Sequence, residues 1–300
     1  MLNSNISDFE LFYSEKVYPD LKKAEQIRRQ ILLNYTIIGT VLFSGMLVEA
    51  ITWMSIAIVI IILFVLVYTR WYGIPVSKYE NAYVHAITYN IIQFINPALQ
   101  VDHSSHLKLT DLKNAFIITG DPEYFAGKNL IFGKINNAEV RISEITATSK
   151  YTLENGVEHT YEYFNGIVMV KDIKPEIKGN LMVCSSNELL KHYTAFIKNI
   201  KIDDSEKEEL TIFSEDDIAK KKYVTPLLLQ TLKEYHIQTG KDVMYSVHES
   251  GICLAILHNR RFTYLDPSVF STAYNKKVVE AYYNDLKFLF GTLFPVEGIK

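Results

Sequence analysis

Two stretches of the chain carry no charge. Ile31 to Val48 is the first, 18 residues long; after the single acid Glu49, Ala50 to Thr69 is the second, 20 residues long. At the rise of an α-helix they extend about 27 and 30 Å, close to the ~30 Å hydrocarbon core of a bilayer. Ile56 to Val67 is apolar at every position and lacks the polar face that a helix on a soluble core keeps. The pattern predicts a two-helix transmembrane hairpin over 31–72, with spans near 31–48 and 50–69 and its bend at Glu49. A single span from Ala50 to Thr69, behind a buried amphipathic helix, is the competing arrangement. It requires five basic residues to cross the membrane or be buried.

The first run carries Thr36, Thr40 and Ser44 at four-residue spacing, with Gly39 beside them. The stripe could line a pore or substrate path. Helix–helix packing explains it more simply, because small residues let membrane helices approach and no ionisable group sits mid-span. Orientation follows from the bases. Lys16, Lys22, Lys23, Arg28 and Arg29 precede the runs, Arg70 and Lys78 follow them, and the tip has none. Basic flanks stay cytoplasmic, so both termini are expected there, with Arg28, Arg29 and Arg70 flanking the membrane. Trp53, Tyr68, Trp71 and Tyr72 sit where interface aromatics sit. Residues 1–30 are polar and mixed in charge, unlike a cleavable signal.

Outside the runs the period is helical, then strand-like. Phe9, Phe12, Val17, Leu21, Ala24, Ile27 and Ile31 mark an amphipathic helix running into the first span. Pro75 breaks the helix after the second span. Tyr83, Ile87, Ile91, Ile92 and Ile95 mark a helix over 78–95, stopped at Asn96-Pro97. Between 129 and 187 the period becomes two. Residues 130–135 and 138–145 read as a hairpin turning at Asn136-Asn137, and 151–153 with 157–164 as a second, turning at Glu154-Asn155-Gly156. Strands follow at 166–170 and 180–184, then a short helix at 189–197. Asp203 to Glu209 is a charged segment and a possible joint, near 201–210. A strand at 210–213, a helix at 223–237 with Pro226 in its first turn, a third hairpin at 242–257 and a closing helix at 278–294 complete the chain. The fold class is α+β: an antiparallel sheet with helices in a cytoplasmic domain over 76–300.

Composition narrows the function. The 300 residues are 48% hydrophobic and 22% charged, too apolar for a disordered chain. A net charge of −3 argues against a basic nucleic-acid binder. Residues 1–75 hold six acids and six bases, so the whole excess lies in 76–300, which gains no attraction to an anionic leaflet. Two cysteines, Cys184 and Cys253, cannot build a disulfide framework or a four-cysteine zinc site, and free thiols suit a reducing compartment.

Candidate chemistry is sparse. Asp102-His103-Ser-Ser-His106 gathers three ligand types in five residues, yet His103 and His106 share a face only in a helix, so a polar loop is the simpler reading. His248, Glu249 and Cys253 share the last hairpin. A Cys–His pair can form a nucleophile, but Cys253, like Cys184, lies in an apolar run where cysteine acts as a small hydrophobe. Gly127-Lys128 lacks the Ser/Thr and helix of a phosphate loop. Lys220 to Lys222, after Glu215-Asp216-Asp217, read as a solvated helix. Late aromatics, from Tyr223 and Tyr245 to Tyr282, Tyr283, Phe288, Phe290 and Phe294, belong to core or to a partner surface.

Several segments in this order resemble the bacterial domain of unknown function 3137 family. They are Arg28-Arg29, the paired runs, Phe94 to Leu99, Gly133 to Glu139 with Ile142 to Glu144, Phe164 to Val170, Ile212 to Asp217 with Tyr223 to Pro226, and the last hairpin and helix. The resemblance implies a membrane-anchored cytoplasmic domain and supplies no catalytic residues, cofactor or metal. The expected protein is therefore a multi-pass binding or scaffold protein of a bacterial inner membrane, held in lipid and contacting a protein partner or a second copy, with no nucleic acid. A pleckstrin-homology-like barrel is one form its domain could take, by fold analogy. The alternatives are a membrane-face enzyme using His103, His106 or Cys253, and a small pore or transporter component.

Overall fold

A computed structural model describes residues 6–52, 55–152, 158–185, 201–202, 210–258, 265 and 267–294. The chain forms two compact units. The first comprises Met1–Ile91 and Leu265–Glu280, the second Ile92–Tyr264 and Ala281–Lys300.

In the first unit, helix α1 (Ile6–Phe12), a π-helical stretch (Tyr13–Val17) and α2 (Tyr18–Thr52) follow one another without a break. Phe9, Phe12, Val17, Leu21, Ala24 and Ile31 are all buried, as their spacing predicts. They share the core of this unit with Tyr79, Tyr83, Ile87 and Ile91, which recur along α4 (Val76–Val84), a π-helical stretch (His85–Tyr89) and the start of α5 (Asn90–Ile95). Pro75 caps α4 in an extended conformation and separates it from α3 (Ser55–Tyr72).

Helices α2 and α3 pack antiparallel. Tyr68 donates to Asn34 Oδ1 at 2.9 Å, and Gly45 lies directly against the Ile61 side chain. The helix does not end at Glu49, as the charge pattern predicts; α2 continues to Thr52 and α3 starts at Ser55. Nothing from Val48 to Thr52 can stop a helix, since the segment holds neither Gly nor Pro. Trp53 and Met54 lie outside the described residues.

Segment 265–274 belongs to this unit although it lies far away in sequence. Glu25, 2% exposed, accepts from Arg28 at 2.7 and 2.8 Å, from Arg29 Nε at 3.0 Å and from the Ala273 amide at 3.0 Å. Arg28 also donates to the Val269 carbonyl at 2.9 Å. Tyr274 stacks on Tyr18 with centroids 5.3 Å apart, and Lys276 pairs with Glu10. The sequence pattern gave no sign of this return, because a buried carboxylate looks like any other acid on a mixed-charge helix.

The second unit is built on a nine-stranded sheet in the order β1-β2-β3-β4-β9-β8-β5-β7-β6, antiparallel throughout. The strands are β1 (Gln100–Asp102), β2 (Tyr124–Ile135), β3 (Ala138–Thr152), β4 (Glu158–Asp172), β5 (Leu181–Cys184), β6 (Lys201–Ile202), β7 (Thr211–Ser214), β8 (Val243–His248) and β9 (Gly251–Leu257). Asn136 and Asn137 turn the first hairpin with φ of 50° and 64°, the left-handed pair that a two-residue turn requires. The expected separate strands merge: among the described residues, 138–145 and 151–152 belong to one long β3, and 158–164 and 166–170 to one long β4. Gly166 does not interrupt β4, because a side chain there would strike the Ile256 carbonyl of the neighbouring strand. The Asn155-Gly156 turn, the 189–197 helix and the charged joint lie outside the described residues.

One face of the sheet packs Phe164, Val168, Val170, Met182, Phe213, Cys253 and Ala255 against residues 107–118, which include α6 (Leu109–Asn114). From the opposite face, Lys171 donates to the Leu293 carbonyl at 2.9 Å and lies 4.2 Å above the Phe294 ring. Among the described residues the further helices are α7 (Asp217–Tyr223), capped by Asp216; α8 (Pro226–Thr239), capped by Thr225 with Pro226 at its first position; and α9 (Lys276–Leu293).

Hydrogen bonds from Arg28, together with the Ala273 amide and Arg29, outweigh burial and hold the Glu25 carboxyl at about 2, against its ordinary 4.5. A depressed carboxyl stabilises fully above its unfolded value and loses that contribution as pH falls through its folded value. The Glu25→Gln variant should therefore be less stable than wild type at neutral pH by about 3 kcal/mol. That gap should close between pH 4.5 and about 2, measured by denaturant unfolding in detergent micelles. A gap independent of pH would show that the charge is not what holds the unit.

Candidate functional site

The residues singled out from sequence fall into separate places. Asp102 ends β1 and holds its own turn, accepting from the Ser104 amide and hydroxyl at 3.0 and 2.8 Å and from the Ser105 hydroxyl at 2.7 Å. The Ser105 and Ser104 bonds hold its carboxyl at about 2. His103 Nδ1 lies 3.1 Å from Asn129 Oδ1, whose amide nitrogen donates to Glu144 at 2.8 Å. With the Asn129 amide donating to a carboxylate, its oxygen faces His103, and Nδ1 carries the proton. His106 instead contacts the Leu107 carbonyl through Nδ1 at 2.7 Å and meets the edge of Phe125. The two histidines therefore take separate hydrogen-bond partners. Among the described residues, no three His, Cys, Asp or Glu side chains are placed to hold a metal ion.

Sequence reasoning passed over Asn129 and Glu144. Asn129 occupies a bulge in β2, where the register to β3 shifts between Lys128 and Ile131, and its φ is 57°. An asparagine tolerates this left-handed backbone better than most residues, so an Asn inside an apolar strand was the available signal. The bulge turns the Asn129 amide to the His103 carbonyl and the Leu130 amide to that of Ser105. Gly127 beside it leaves room for the loop, since a Cβ there would meet the Glu144 carbonyl at 2.6 Å and His106 Cβ at 2.7 Å. The resulting line, His103–Asn129–Glu144, orients an imidazole. An amide in the middle cannot pass a proton along it.

Cys253 pairs with Ser246 and His248 with Gly251, so thiol and imidazole share a face of the sheet. No hydrogen bond links them: His248 Nδ1 bonds Ser250 at 3.0 Å, and its buried Nε2 has no hydrogen-bond partner. Cys253 is completely buried, and desolvation pushes its thiol far up; burial pushes that of Cys184 to about 12. Burial also lowers the His248 pKa, against the opposing pull of Asp172 and Asp111. These two acids are held by Arg141, which donates twice to Asp172 at 2.9 and 3.0 Å and once to Asp111 at 2.9 Å. Thiolate chemistry needs a thiolate, and this environment disfavours one.

Among the described residues of the second unit, Asp285 on α9 is a buried acid, 1% exposed, with several partners. Lys241 donates to both of its oxygens at 2.7 and 2.9 Å, Tyr235 donates its hydroxyl, and His258 Nε2 lies 3.5 Å away. Burial raises the Asp285 pKa, but His258, Lys241 and Tyr235 together outweigh it and keep the carboxyl below its ordinary value. Tyr235 stacks on Phe288 with centroids 3.7 Å apart. Gly240, with φ of 65°, ends α8 and turns Lys241 toward the acid. The late aromatics are mainly core: Tyr245, Tyr282, Tyr283, Phe290 and Phe294 are buried.

A match to known sequences falls on this region. Residues 162–293 match the model of a family described as "Protein of unknown function (DUF3137)". The DUF3137 match begins in β4, ends with α9 and includes Tyr235, Lys241, His258 and Asp285; His103, His106, Asn129 and Glu144 lie outside it. It agrees with the resemblance read from residues 164–170, 212–217 and the last hairpin and helix. No curated protein and no solved structure matches the chain.

An open groove of about 710 Å³ also lies within the DUF3137 region, lined by Pro175 to Lys178 and Glu215 to Ile218. Its acids are largely committed. Asp216 accepts from the Lys178, Ile218 and Ala219 amides, Glu215 from Asn180, and Glu176 pairs with Lys222 at 2.7 Å.

Neither thiol should react with a water-soluble disulfide reagent while the chain is folded, and both should react in denaturant. Rapid titration of one thiol in the native protein would contradict the burial of Cys184 and Cys253. Truncating Asp285 to Ala leaves Lys241 and Tyr235 facing each other without their acceptor. It should cost about 3–5 kcal/mol in denaturant unfolding, whereas Asp217→Ala, at an exposed cap-side position, should cost under about 1 kcal/mol.

Proposed function

We propose that this chain is a membrane-anchored protein whose α+β domain binds a protein partner or a second copy at the cytoplasmic face of a bacterial inner membrane. The observation that carries the reading is the surface of α2 and α3. Leu33, Leu42, Phe43, Met46, Leu47, Ile62, Leu63, Phe64, Leu66 and Val67 are all exposed. Water does not tolerate such a continuous apolar band on a monomeric protein. Phe9–Leu47 is long and apolar enough to cross a membrane, and Ile61–Arg70 is a shorter apolar helix beside it.

The polar residues of the first run are compatible with lipid. Thr36 and Thr40 donate to the carbonyls of Leu32 and Thr36, at 2.9 and 2.8 Å, so their hydroxyls need no other partner. The stripe Thr36, Gly39, Thr40, Ser44 is exposed, and nothing lies within 4 Å of a Cβ built on Gly39. Gly45 makes the close approach to α3. The basic residues support both termini being cytoplasmic. Arg29 and Arg70 are exposed, whereas Arg28 is engaged by Glu25 and Val269. A binding role is consistent with His103 and His106 taking separate structural partners and with the burial of Cys253. The pleckstrin-homology comparison remains an analogy drawn from a sheet closed by a helix.

Cysteine accessibility in spheroplasts tests the topology, and the two buried native thiols keep the background low. Thr52→Cys should be labelled by a membrane-impermeant maleimide added outside, while Ser77→Cys should be labelled only after lysis. The reverse pattern, or recovery of the full chain in the soluble fraction after breakage, would contradict the proposal.

A further inference from the structure

We infer that the turn Ser268–Ser271 is a second membrane contact, with Phe270 seated in the headgroup–acyl boundary of the bilayer that holds the hairpin. The inference rests on the membrane reading above and adds a site to it. Segment 269–276 climbs along the N-terminal helices as its numbering falls. Lys276 pairs with Glu10, Tyr274 stacks on Tyr18, the Ala273 amide binds Glu25 and the Val269 carbonyl binds Arg28. Arg28 lies three residues before Ile31, where the uncharged run begins. The turn is therefore the part of this segment nearest the membrane level.

Its chemistry suits that level. Phe270 is 79% exposed, among the most exposed large apolar side chains outside the hairpin. Pro267 to Asn275 carries no charge. The tip also satisfies much of its own polarity, because the Phe270 amide donates to the Ser268 hydroxyl at 3.2 Å, and the Ser271 amide and hydroxyl donate to the Ser268 carbonyl at 3.1 and 3.2 Å. A turn with few unmet donors and one aromatic at its tip enters the interface at low cost, where aromatic side chains are favoured. The exposed Arg29 and Arg70 lie at the same end of the hairpin, placed for lipid phosphate.

The test uses the full chain in vesicles of phosphatidylethanolamine and phosphatidylglycerol, with Trp53 and Trp71 replaced by Phe. Phe270→Trp should show blue-shifted emission and lose intensity to lipids brominated near the headgroup. Leu63→Trp, in the same background, reports the hairpin and should lose intensity to lipids brominated deep in the chain. Water-like, unquenched emission from the Trp at 270, with the deep probe quenched, overturns the inference and leaves the anchor standing. An unquenched deep probe removes both.

Discussion

The Glu25 carboxylate sits less than two turns before Ile31, where the uncharged run of α2 begins, and the chain saturates it with Arg28, Arg29 and the Ala273 amide. A buried carboxylate persists only when its partners replace the water it has lost, and removal of any one leaves an uncompensated charge. Because two of those partners lie on the same helix and one comes from residue 273, the interaction fixes a helix turn and a distant segment together. The bundle below and the apolar hairpin above are thereby one continuous helical path.

The second unit shows the same economy with polar groups. Asp285, Arg141 with its two acids, and the His103–Asn129–Glu144 line each place a charged or polar side chain where the sheet meets a helix or loop. In each case these groups bond to other side chains of this chain. Such arrangements specify how elements dock, and they are costly to break. The dense chemistry of these residues is thus spent largely on architecture.

Much of the fold was legible because period and turn chemistry are local. The apolar face from Phe9 to Ile31, the Asn136-Asn137 turn, the Pro226 helix start and the last hairpin all follow from spacing or from the backbone a residue tolerates. The merging of short runs into β3 and β4 was not legible, since polar residues such as Thr146 and Asn165 interrupt the pattern while still pairing in the ladder. The candidate sites were read least well. Sequence put His103 beside His106 and His248 beside Cys253, but a bulge at Asn129 and a turn at Ser250 give each histidine its own partner. Glu25, Asp285 and Asn129 were missed for one reason: their importance lies in contacts with residues far along the chain.

Helix α2 passes from the buried bundle into the apolar hairpin without a break. Backbone hydrogen exchange of the full chain in lipid nanodiscs tests it at the junction, Arg28 to Asn34. Slow exchange continuous with the amides of Leu21 to Ala24 is the predicted result. Exchange at the rate of an unstructured peptide across Arg29 to Leu33 would mean a hinge there, and would contradict the account.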